Sequence, residues 1–162
     1  MTDAALEAAI PAGAIVLLDT SAVLAYLSGS ESVSRAAAAV IDGCVAAGRN
    51  VAVVSAISVT ELLVRPMRAG SATAVRLVDD FLGHFPNLRL ESVSIDIARA
   101  GARIRATTSA PTPDALILAT AVAASVRIVV GNDSRWSRIV ERASLPIDFV
   151  LLSALPIGVP GP

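Results

Sequence analysis

Four carboxylates stand where an acidic side chain is costly. Asp19 closes the apolar run of "IVLLDTSAVLAYL", Glu61 lies in "ISVTELLVRP", Asp114 in "APTPDALILATA" and Asp133 in "VVGNDSRW". An unpaired carboxylate among apolar residues costs several kcal/mol or shifts its pKa, so each needs compensation. Each has a local structural reading. Ser58-Val59-Thr60-Glu61 matches a capping box, with Glu61 reaching back to the Ser58 amide. Thr112-Pro113-Asp114 reads as a helix start: Thr as N-cap, Pro at N1, then an acid in the favourable dipole field. Asp19 and Asp133 can each cap the helix that follows, a task worth about 0.5–2 kcal/mol. Capping does not explain why all four recur in one kind of setting, whereas a hard divalent cation does. Mg²⁺ and Mn²⁺ prefer carboxylate oxygen and water. With one histidine and one cysteine in the chain, a zinc site of nitrogen and sulfur ligands is excluded. A G-x-S-x-G elbow and a phosphate-cradling P-loop are both absent from the sequence. His84, in "FLGHFPN", reads as a turn or helix-end residue without a catalytic part.

The elements that must position these acids alternate along the chain. Apolar, β-branched runs occur at Ala14–Asp19, Val51–Ser55, Leu88–Glu91, Arg127–Val130 and Pro146–Val150. Helical spacing predicts helices over Ala22–Leu27, Glu31–Ala47, Val59–Arg68, Thr73–Phe85, Ile95–Thr107, Pro113–Ser125 and Arg135–Ala143. Short apolar strands alternating with helices predict an α/β three-layer sandwich, with a central parallel sheet of about five strands flanked by helices. Ligands of such a sheet bind beyond the carboxyl ends of its strands, where Asp19 and Asp133 fall. Residues 1–13 read as an N-terminal extension, 14–150 as the domain and 151–162 as a Pro/Gly-rich tail, frayed or docked.

The 162 residues suffice for one domain with a proper core. Mean hydropathy is +0.70, yet charges and prolines interrupt every stretch before the ~18 apolar residues of a membrane span. The opening "MTDAALEAAI" carries two acids and no basic residue, unlike a secretory signal, and the lone Cys44 permits no internal disulfide. Both predict a soluble, cytoplasmic protein. The net charge of −1 carries no global nucleic-acid signature. All 13 basic side chains are arginine, which suits phosphate recognition and equally reflects genome composition.

In their order, "LLDTSAVLAYL", "ISVTELLVRP", "TPDALILATA" and "VVGNDSRW" resemble the successive acidic motifs of PIN domains, most closely those of VapC-type toxins of bacterial toxin–antitoxin pairs. The resemblance runs from about Ile15 to Val150. It implies a metal-dependent endoribonuclease whose metal-binding and catalytic acids are Asp19, Glu61, Asp114 and Asp133, with Mg²⁺ or Mn²⁺ as cofactor. Asp19 and Asp114 are the first choices as direct ligands. Ser21 takes the place of the family's small hydroxyl residue, with Thr20 beside it, and Trp136 that of an aromatic with a packing role. One position departs: Gly131 stands where the family often has Thr or Ser. The resemblance further implies an RNA substrate, a homodimer and a cognate antitoxin covering the acidic pocket. Arg65, Arg68 and Arg135 are candidates for RNA phosphate, or else belong to solvated helix faces. A PIN-like scaffold or RNA-binding module with a weakened site is the alternative. A receiver-like signalling domain expects an acidic pair after the first strand and a late lysine, and this chain has neither.

Overall fold

Residues 4–30 and 32–156 are described in this computed structural model. Five strands, β1 (Ile15–Leu18), β2 (Val51–Ser55), β3 (Leu88–Glu91), β4 (Ile128–Gly131) and β5 (Asp148–Leu151), form one sheet in the order β3-β2-β1-β4-β5. Every pairing is parallel, with Leu17 opposite both Val53 and Val129. The helices are α1 (Ala4–Ala9), α2 (Thr20–Ser28), α3 (Ser34–Val40), α4 (Ala56–Arg68), α5 (Ala72–His84), α6 (Ile95–Thr108), α7 (Thr112–Ala123) and α8 (Arg135–Arg142).

The two-residue period of the strands divides the core. Val16, Leu18, Val54 and Val130 face one side, where they pack with Leu6, Val23, Ala37 and Phe81 from α1, α2, α3 and α5. Leu17, Val53 and Val129 face the other, with Ile97, Leu118 and Trp136 from α6, α7 and α8. Strands buried on both faces carry no polar alternation, which is why these runs read as continuously apolar. The three-layer α/β sandwich is the predicted one.

Several local expectations change. Helix α4 starts at Ala56, because Ser55 at the end of β2 supplies its N-cap by accepting from Ile57 N at 3.4 Å. Ser58 is therefore inside the helix, and the expected capping box with Glu61 does not form. Helix α7 starts at Thr112 with Pro111 at the N-cap position and no side-chain cap, so Thr112 is not the cap. The single helix expected over Glu31–Ala47 is α3 followed by a π-helical turn, Ile41–Ala46; Glu31 lies outside the described residues. Within the N-terminal extension, α1 buries Leu6, and Ile10 follows it into the core. At the other end Leu152 is buried and Leu155 packs against the core. Residues 157–162 of the Pro/Gly-rich tail lie outside the described residues.

Strand order decides where a site can be. From central β1 the chain proceeds to β2 and β3 on one side, then returns to place β4 and β5 on the other. The carboxyl ends of β1 and β4 thus flank the switch point, the crevice where open α/β sheets bind ligands.

Candidate active site

Asp19 directly follows β1, and its N–H still bonds to Val130 O at 2.9 Å. Its carboxylate caps α2, accepting from Ser21 N at 3.2 Å and from Ser21 Oγ at 2.6 Å. The same Ser21 hydroxyl accepts from Asn132 N at 2.8 Å, so one side chain joins the ends of β1 and β4. Gly131 completes the fit. A Cβ there would stand 3.2 Å from Asp19 Cβ and Oδ2 and 3.1 Å from Phe149 Cε2. The room that a side chain at 131 would take is filled by the Asp19 carboxyl.

Buried Thr20 reaches α4: its hydroxyl donates to Glu61 Oε2 at 2.5 Å and lies 2.9 Å from Ser58 Oγ. Ser55 and Thr120, both fully buried, meet at 3.0 Å and tie the start of α4 to α7, which carries Asp114. A buried hydroxyl pair of this kind persists because each oxygen has a partner; Thr120 also donates to Leu116 O at 2.8 Å. Asp133 lies in the turn after β4. It accepts from Arg135 N at 3.0 Å and takes both the Nε and Nη2 groups of the same guanidinium, a forked pair.

The electrostatics tie the four acids into one neighbourhood. Burial pushes the Asp19 carboxyl up to about 6 against the opposing hydrogen bonds from Ser21, and repulsion from Asp114 adds to the rise. Half-buried Asp114 is also raised, first by desolvation, then by Asp133 and Glu61; Arg135 and a hydrogen bond from the Trp136 indole counter it. Asp133 goes the other way, held below the usual carboxylate range by the Arg135 guanidinium. Trp136 itself is buried and packs on Phe149 with ring centroids 5.7 Å apart, as a packing residue should.

The donor set is chemically suited to a hard divalent cation: oxygen ligands only, with buried Asp19 lacking any cationic partner among the described residues. As the side chains stand, Glu61 is engaged by Thr20 and Asp133 by Arg135. No three acids, histidines or cysteines among the described residues lie close enough to hold an ion. Arg65 and Arg68 stand four and seven residues beyond Glu61 on the same face of α4, exposed and without an ion pair among the described residues. His84 ends α5 ahead of β3, at the opposite edge of the sheet, exposed beside Asp80. Two residues escape a reading of the sequence. Asn132 acts through its backbone N–H, which no side-chain pattern signals. Ser58 carries a signal, its i,i+3 spacing from Glu61, but that spacing is also the mark of a cap.

The fold has known counterparts. The PIN domain family model matches residues 16–142, and the chain belongs to that family. No curated protein is significantly similar to it in sequence. Among solved structures it resembles VapBC2 from Rickettsia felis bound to a promoter DNA fragment, with a TM-score of 0.67 and 17% identity over 85% of this chain and 98% of that one. FitAcB from Neisseria gonorrhoeae gives 0.66 and 20% identity over 86% and 99% of the two chains. VapC20 of Mycobacterium tuberculosis, a toxin that cleaves the sarcin–ricin loop, gives 0.63 and 16% over 76% and 93%. At such identities the likeness is one of fold.

Proposed function

We propose that this PIN-domain protein is a Mg²⁺- or Mn²⁺-dependent endoribonuclease and the toxin of a toxin–antitoxin pair. The observation that carries this reading is the placing of Asp19, Glu61, Asp114 and Asp133 around the switch point, with Asp19 buried and Asp114 in repulsion with each of the other three. A charge arrangement this unfavourable is sensible where a cation relieves it. A bound divalent ion would lower the pKa of a coordinated water and neutralise charge on the scissile phosphate.

The chain's own residues do the rest. Asp19 and Asp114 would hold the ion directly, with Asp19 kept in place by the Ser21 hydroxyl. Glu61 and Asp133 would join directly or through water, which requires each to leave its present partner, Thr20 or Arg135. One of these carboxylates would accept the proton of the attacking water. Structural kinship with VapBC complexes and with a toxin that cleaves the sarcin–ricin loop supports an RNA substrate and a cognate antitoxin partner. We assign the protein to the cytoplasm as a homodimer; no helix among the described residues is long and apolar enough to cross a membrane.

The test compares wild type with Asp114→Asn, both freed of any partner, on structured RNA with Mg²⁺, Mn²⁺ or EDTA. Cleavage by wild type is expected only with metal, reduced more than about a hundredfold in the variant, beyond the loss typical of outer-shell changes. Equal rates, or cleavage that survives EDTA, overturn the mechanism. One observation favours a second reading, a scaffold or RNA-binding module: the Arg135–Asp133 pair already neutralises one of the acids. No cleavage of any RNA by metal-loaded wild type would select it.

A further inference from the structure

Beside Asp114 the surface opens into a cleft of about 220 Å³ between the loop that joins α6 to α7 and the flank of α8. Its one carboxylate is Asp114; facing it along α8 are Arg135, Arg138 and Arg142. Spaced i, i+3 and i+7, the three arginines share a helix face and span about 10 Å of its axis. Arg135 is committed to Asp133, but Arg138 and Arg142 are exposed and have no ion pair among the described residues. The opposite wall is well held. Thr108 Oγ1 donates to Ile104 O at 2.6 Å and accepts from Ala110 N at 3.2 Å, while Arg105 Nε donates to Ala110 O at 3.0 Å. In a chain with net charge −1, this is a local concentration of unpaired positive charge leading away from the acidic edge.

We propose that this cleft binds the phosphate backbone of single-stranded RNA flanking the scissile bond, with Arg138 and Arg142 each taking one phosphate. The assignment rests on the ribonuclease reading, which puts the scissile phosphate near Asp114, so the strand must continue across the adjoining surface. Guanidinium groups suit the task, since their forked N–H donors match phosphate oxygens. Such bonds carry no base readout; they position the strand.

The test measures binding of a short end-labelled single-stranded RNA by fluorescence anisotropy across salt concentrations, with Mg²⁺ present and Asp114→Asn as the background that stops turnover. Adding Arg138→Gln and Arg142→Gln is expected to flatten the slope of log K against log [salt] by about 1.4, or about 0.7 for each phosphate left without its arginine. Between about 50 and 200 mM salt, the background protein should then lose about sevenfold more affinity than the variant. Arg76→Gln with Arg127→Gln removes the same charge away from the cleft, and should leave the slope unchanged. A slope that Arg138 and Arg142 do not influence, or that the control pair lowers equally, overturns the proposal. So does an acidic peptide whose binding depends on these arginines when RNA binding does not. Cleavage by the unsubstituted chain is scored separately. Cleavage with an insensitive slope sinks the cleft alone, whereas arginine-dependent binding without cleavage sinks the nuclease reading and keeps the cleft.

Discussion

Asparagine at position 19 would keep the size and acceptor oxygen of the aspartate and remove its charge. Asp19 is 6% exposed, and burial moves its carboxyl from the ordinary 3.8 up to about 6. That interval is worth about 3 kcal/mol against the ionised form in the folded chain. Because the folded state binds this proton more tightly than the unfolded state, the stability associated with it is complete at low pH. It is lost as pH rises from about 4 through about 6. Asp19→Asn should therefore stabilise the metal-free protein by up to about 3 kcal/mol near neutral pH and leave it almost unchanged near pH 4. Ser21 N and Oγ can donate to the amide oxygen as they do to the carboxylate. Urea unfolding in EDTA at several pH values, followed by circular dichroism, measures this directly. The same variant should lose stabilisation by Mg²⁺, a gain in stability exchanged for function. Equal stability of the two proteins at neutral pH, or a larger gap at low pH, would refute the reasoning.

Three further outcomes follow from the site's packing. Ser21→Ala removes the hydroxyl shared by Asp19 and Asn132 N, and should slow cleavage about 10–100-fold and lower stability by about 1 kcal/mol in denaturant titrations. Gly131→Ser, which brings in a residue common in the family, should destabilise by about 1–3 kcal/mol, since its Cβ crowds Asp19 and Phe149. A thermal melt that leaves the midpoint unmoved would contradict that account. Arg135→Gln releases Asp133, whose carboxyl returns toward its ordinary range. Mg²⁺ affinity by calorimetry should then rise several-fold, and an unchanged or weaker affinity would show that Arg135 does not compete with the ion.

Much of the architecture was legible in the residues. Apolar strands such as "IVLL" and "VAVV" bury both faces in a sheet covered on both sides, and their alternation with helices makes that sheet parallel, so pattern and length determined the layers. Asp19, Asp114 and Asp133 were likewise legible as acids at the ends or starts of such elements, whereas Glu61, expected near a helix start, lies in the middle of α4. Helix starts were less legible. Ser55 and Ser58 are chemically equal as caps, and only the end of β2 decided that Ser55 would serve. What tertiary structure alone decided is which groups share space. Strand order brought β4 beside β1 across more than a hundred residues of chain, letting Ser21 join Asp19 to Asn132 and making Gly131 the residue that leaves room for a carboxyl. It also set Arg138 and Arg142 of α8 along a cleft facing the loop between α6 and α7. Partner choice among charges depends on distances, and those exist only once the chain has closed on itself.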